Sequence, residues 1–228
     1  LLDESGSVSQ EEWNDTLDFV ERVITYDISP ASYIALYEYA ALAAYQELLP
    51  FLGPRSDPAN LATYISTLDS NLYTSAGQTE TWDAVNRVLD DMNAYISNGG
   101  TNCNLNGDAC YQRHNLLFLI TDGEPTGTEV CPDMTRRMNQ SNVDLVLIYI
   151  DPTGNFDISK LACLDIRDNG EDIIRMTAFD SNAFNAIEGR IRNITCSGLF
   201  PQTNGVQPEY FPWLYCDENG ENCVDELG

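Results

Sequence analysis

At 228 residues the chain is long enough to bury a full core, and 43% apolar with 21% charged residues excludes a disordered segment. Its 36 acidic against 11 basic residues leave a net charge of −25. Such a surface repels nucleic acid and anionic lipid, which need Lys and Arg to neutralise phosphate, though excess acid also simply keeps a secreted protein soluble.

The chain opens on Leu1-Leu2, read as the last two residues of a buried strand, so the first strand is expected to be truncated. Asp3-Glu4-Ser5-Gly6-Ser7 follows directly. Residues 9–24 read as a helix: Ser9 can cap it, Glu11 and Glu12 suit its positive end, and Trp13, Leu17, Val20 and Ile24 share a face. Residues 33–39 are β-prone, with 44–51 as a hairpin partner, and Asp57-Pro58 opens a helical stretch. A longer helix runs over about 81–95, with Val85, Val88, Leu89 and Met92 inward. Residues 98–113 are rich in Gly and Asn and read as a loop. Continuous apolar runs at 115–120 and 143–150 have the length of strands covered on both faces, and 172–176 is a weaker third. Helical segments fall between them, at about 131–140, 157–164 and 180–194.

This alternation indicates an α/β fold: a doubly wound, mostly parallel sheet with helices on both faces. From Ser197 onward the composition turns to Pro, Gly, Asn and aromatics, so 1–196 reads as one domain and 197–228 as a C-terminal extension. No apolar stretch approaches the roughly 20 residues that span a bilayer.

In doubly wound sheets, ligands bind beyond the carboxyl ends of the strands. Asp3 follows one strand end, Asp122 follows another, and Thr79 precedes a helix that starts at the same rim. Ser5 and Ser7 lie in the loop between Asp3 and the first helix, and Gly6 and Gly123 permit the turns that aim the oxygens inward. Two Asp, two Ser and one Thr around one point form an all-oxygen set suited to a hard divalent cation. An Asp-x-Ser-x-Ser match arises in roughly one chain of this length in twenty, so alone it says little. Joined in order to a Thr-x-Thr opening a helix and an Asp-Gly ending a buried strand, it says much more.

With these motifs the chain resembles the von Willebrand factor type A family and its metal-ion-dependent adhesion site, over about residues 1–196. The resemblance implies a Rossmann-like fold in which Asp3, Ser5, Ser7, Thr79 and Asp122 hold a divalent cation. Mg²⁺ is preferred, with Mn²⁺ and Ca²⁺ as alternatives. It further implies that an acidic group of an extracellular protein or glycan partner completes the coordination. No nucleophile–base pair, phosphate loop or zinc motif is evident, so no catalysis is expected. The rival readings are a structural subunit of an extracellular filament or coat, assembling through the tail with the metal site serving assembly or idle, and a regulatory subunit of an intracellular enzyme.

Sequons at Asn14, Asn139 and Asn193, together with seven cysteines, favour an extracellular, secreted or cell-surface setting and argue against the last rival. Short spacing suits local bridges at Cys103–Cys110 and Cys216–Cys223, while Cys131 and Cys163 both follow strand ends and can pair across the rim. Cys196 is left for a partner upstream. Glu124 reads either as a solvated loop acid or as a group tuning the site, and His114 as structural. Asp108, Asp151 and Asp157 form only a weak candidate for a second calcium site, lacking the Asp-x-Asp-x-Asp-Gly pattern. The aromatic run 210–215 suits either docking or folding back over its own domain.

Overall fold

The computed structural model describes residues 1–28, 32–41, 45–52, 57–71, 73–74, 77–97, 115–126, 131–141, 143–151, 154–155, 157–162, 164, 173–178 and 180–197. Six strands form one sheet in the order β3-β2-β1-β4-β5-β6. These are β1 (Leu2–Asp3), β2 (Leu36–Tyr39), β3 (Gln46–Leu49), β4 (Asn115–Thr121), β5 (Val143–Ile150) and β6 (Ile173–Met176). All pairings are parallel except β2 with β3, which closes one edge as an antiparallel hairpin.

The helices are α1 (Gln10–Arg22), α2 (Pro58–Ser70), α3 (Thr81–Ser97), α4 (Cys131–Ser141), α5 (Ser159–Ala162) and α6 (Ser181–Ser197). Strand β5 shows why both faces must be covered. Val146, Ile148 and Ile150 enter one apolar layer with Trp13, Phe19, Tyr64 and Phe184, so α1, α2 and α6 cover that face. Val143, Leu145 and Leu147 enter the other with Val85, Leu89, Met134 and Met138, from α3 and α4. Period-two alternation with both sets apolar leaves neither face wettable. Phe19 and Phe184 stack with centroids 4.3 Å apart, joining α1 to α6.

Several expected elements differ in extent, among them β3, expected over 44–51 and found at Gln46–Leu49, and α5, expected over 157–164 and found at Ser159–Ala162. The first helix keeps its Ser9 cap and Glu12 capping box but changes after Arg22 into a π-turn over Val23–Asp27. Strand β2 begins at Leu36 rather than residue 33. The N–H and carbonyl of Ile34 instead meet the buried Tyr64 hydroxyl, at 3.3 and 3.2 Å, so a side chain replaces a strand partner there. Strand β1 is two residues long, and the Leu1 nitrogen beside it donates to the Phe118 carbonyl at 2.8 Å. An apolar cavity of about 190 Å³ adjoins Leu1, with Phe19 and Val23 on one side and Val88 and Met92 on the other.

The expected loop at 98–113, His114, five cysteines (103, 110, 163, 216 and 223) and all of the expected 197–228 extension except Ser197, which ends α6, lie outside the described residues. Cys131 and Cys196 are helical positions whose side chains are likewise outside them. Of the sequon asparagines, Asn14 is exposed on α1 and Asn139 on α4; the Asn193 side chain is not among those described. No helix among the described residues is long and apolar enough to cross a membrane.

Candidate metal centre

The sheet order reverses direction between β1 and β4, and the carboxyl ends of those two strands deliver Asp3 and the Thr121-Asp122-Gly123 turn to one crevice. The intervening loop is short because α1 is capped at once: Ser9 Oγ accepts from the Glu12 N–H at 3.3 Å, and Glu12 Oε2 from the Ser9 N–H at 2.8 Å. Ser5 and Ser7 are therefore held close to the strand end. Asp3 Oδ1 accepts from the Ser5 N–H at 2.9 Å, Ser5 Oγ and Ser7 Oγ are 3.0 Å apart, and Ser7 Oγ donates to Asp122 Oδ1 at 2.8 Å. One hydrogen-bonded chain thus runs from β1 to the turn after β4.

Thr79 enters from the segment before α3. Its Oγ1 lies where a Cβ on Gly123 would stand only 2.5 Å away, so Gly123 gives the hydroxyl its room beside Asp122. The Thr79 carbonyl is held by the N–H and hydroxyl of Thr126, at 2.9 and 3.0 Å. Thr81, the second hydroxyl of that motif, turns instead to the Tyr39 hydroxyl at 3.2 Å inside the core. The five oxygen-bearing side chains anticipated from sequence are thus brought together at one rim.

Asp3, Ser5 and Thr79 are buried, Asp122 half-buried and Ser7 exposed. Burial above all, with help from the Asp122 charge, pushes the Asp3 carboxyl up from 3.8 to about 7, against the opposing hydrogen bond from Thr121. Burial also raises Asp122, helped by the charge of Glu12. Among the described residues neither carboxylate has a Lys or Arg partner. Two poorly solvated acids facing one another without a counter-charge are what a bound cation would relieve. No group of three His, Cys, Asp or Glu suited to a metal occurs among the described residues. The set is therefore two carboxylates and three hydroxyls. That suits an ion that keeps waters, because each hydroxyl can turn its hydrogen outward and offer a lone pair.

Thr121 escapes the sequence reading. Fully buried at the end of β4, its hydroxyl donates to Asp3 Oδ2 at 2.5 Å and accepts from the Gly123 N–H at 3.1 Å, tying the two strand ends together. The available signal is a hydroxyl closing an apolar run immediately before Asp122. Glu124 forms an ion pair with Lys160 and accepts from the Asp157 N–H at 3.0 Å, fastening its loop to the start of α5. Asp151 and Asp157 do not converge. Asp151 holds the N–H groups of Gly154 and Asn155 at 2.6 and 3.1 Å, whereas Asp157 caps Ser159. Asp108 lies outside the described residues.

Comparison with known proteins bears on the family and the fold. The von Willebrand factor type A domain model fits residues 1–188. No curated protein matches the chain by sequence. Among solved structures, proximal thread matrix protein 1 from the mussel byssus is similar at a TM-score of 0.63 and 16% identity, over 86% of this chain and 46% of that one. The present chain thus spans about half of that relative's length. One structure of the mussel protein has a zinc-occupied MIDAS motif. A von Willebrand factor type A protein from Catenulispora acidiphila aligns at a TM-score of 0.57 and 12% identity, over 87% of this chain and 41% of that one. Manganese-loaded TRAP protein from Plasmodium vivax aligns at 0.51 and 21% identity, over 83% of this chain and 71% of that one.

Proposed function

The chain belongs to the von Willebrand factor type A domain family, and on that premise we propose that it is an extracellular binding domain working through a divalent cation. Asp3, Ser5, Ser7, Thr79 and Asp122 hold the ion. The observation that carries this reading is a buried carboxylate, Asp3, and a half-buried one, Asp122, without a Lys or Arg partner among the described residues and linked through the Ser5 N–H and the Ser5 and Ser7 hydroxyls. Domains of this family are in general binding modules rather than enzymes. Two similar folds carry zinc or manganese, which supports a divalent ion; the all-oxygen set favours Mg²⁺ in this chain.

Two carboxylates only balance the ion's charge, so it stays electrophilic toward a further acidic oxygen. An Asp, Glu or acidic sugar of a protein or glycan partner supplies that group. The sequons and cysteines support an extracellular setting, and the part of the chain from 197 onward, set apart by its composition, offers contacts to neighbouring domains or further copies.

Calorimetric titration with Mg²⁺ and Mn²⁺ tests the site. Wild type takes up one ion, and Asp3→Ala or Asp122→Ala loses it while keeping the helical and strand signal in circular dichroism. Undiminished uptake by Asp3→Ala would sink the proposal. The similarity to a byssal thread matrix protein favours one second reading, an assembly subunit. Sizing with and without chelator separates the two, since cation-dependent self-association supports assembly and a constant monomer supports partner binding.

A further inference from the structure

Glu4 occupies a variable position of the Asp-x-Ser-x-Ser loop, between two proposed ligands, yet it is 1% exposed. Glutamates are seldom buried unless their oxygens are satisfied. Here both oxygens go to one residue: Glu4 Oε1 accepts from the Thr74 N–H, and Oε2 from the Thr74 hydroxyl at 3.0 Å. Thr74 stands five residues before Thr79, in the segment joining α2 to α3. The next described link is Gly77, which turns the chain with φ at 79° while its carbonyl accepts from the Gly6 N–H at 3.2 Å. Tyr73 donates from its hydroxyl to the Val8 carbonyl. The α2–α3 segment is thus fastened to the first loop on either side of Ser5, and Glu4 makes the only side-chain clamp from that loop with both oxygens among the described residues. At its far end, Asn71 donates to the buried Glu38 carboxylate of β2 at 2.9 Å.

We infer that Glu4 is a positioning residue of the cation site: by gripping Thr74 it sets where the Thr79 hydroxyl stands relative to Asp3 and Asp122. This rests on the cation reading above. Glu4 holds no ion itself, because both of its oxygens face Thr74. What the clamp supplies is placement of a ligand that arrives on a long connection, and partners behind metal ligands commonly govern affinity by 10–100-fold.

Mn²⁺ titration of the folded chain tests the clamp. Glu4→Ala is expected to weaken Mn²⁺ binding about tenfold or more. Glu4→Gln retains an acceptor for Thr74 without the charge and stays within about threefold of wild type, and Thr74→Val weakens binding about threefold. In a Thr79→Ala background, Glu4→Ala causes no further loss, because the ligand it places is gone. Wild-type affinity in Glu4→Ala would overturn the inference, as would an undiminished loss in the Thr79→Ala background. Equal losses in Glu4→Gln and Glu4→Ala would reveal a field effect of the charge and overturn it too. Should Glu4→Ala fail to fold, Glu4→Gln and Thr74→Val still decide between these outcomes. A wild-type chain that takes up no Mn²⁺ would fail differently, removing the cation reading and this inference with it.

Discussion

Ser7 Oγ donates to Asp122 Oδ1 at 2.8 Å across 115 residues of sequence. That bond closes the crevice between the carboxyl ends of β1 and β4. It also shows how an exposed hydroxyl and a half-buried carboxylate come to share one site with Asp3. Its consequence is electrostatic, since it draws Asp122 toward a second acid that has no counter-charge among the described residues.

The pH dependence of the cation-free protein follows from Asp3. An unfolded Asp releases its proton near 3.8, whereas the folded one retains it until about 7, chiefly through burial. Between those values the folded state binds more protons, so stability is greatest at the acid end and falls as pH rises, by up to ~1.4 kcal/mol per unit for this group. Above about 7 the loss levels off. Asp122 and Glu38, both raised by burial, act in the same direction. Melting curves of chelator-treated protein should therefore fall through this window, and Asp3→Asn should flatten the fall. Saturating Mg²⁺ or Mn²⁺ should restore stability at neutral pH, by about 2.7 kcal/mol at 100 times Kd. A chelated protein equally stable at both ends of the window would contradict this account.

Thr121→Val preserves shape while deleting the hydroxyl that serves both Asp3 Oδ2 and the Gly123 N–H. Loss of a buried donor should destabilise the chain by about 1–3 kcal/mol, read from the urea midpoint. Cation affinity should fall about tenfold or more, because Asp3 loses its orienting partner. A variant matching wild type in both measurements would show that the contact is incidental.

Gly123→Ala places a methyl 2.5 Å from Thr79 Oγ1 and 3.1 Å from its Cγ2. Thr79 must then withdraw, so cation uptake should weaken by about tenfold or more and stability should drop by about 1–3 kcal/mol. In the double variant with Thr79→Ala the colliding atoms are gone, and most of the stability loss should disappear. Additive losses in that double variant would place the strain elsewhere.

The layered α/β fold was legible in the sequence because burial on both faces demands uninterrupted apolar runs, and the 143–150 run coincides with β5. Helix α3 was equally open to reading, since Val85, Val88, Leu89 and Met92 recur at helical spacing and all four are buried. The early residues of β2 were not, because β-propensity at Tyr33 and Ile34 says nothing of a Tyr64 hydroxyl waiting to take the Ile34 backbone. The π-turn after Arg22 has no signature in its apolar spacing either.

By itself, the order of residues determined which oxygens could meet, because strand ends and helix starts in a parallel sheet share a rim. It specified the acids and hydroxyls at 3, 5, 7, 79 and 122, the cap at Ser9 and the glycine at 123. Tertiary structure alone decided how they are held. Thr121 and Glu4 look like a strand end and a loop acid until folding places Asp3 against one and Thr74 against the other. Their roles depend on partners 118 and 70 residues away, and contacts of that range leave no periodicity in a sequence.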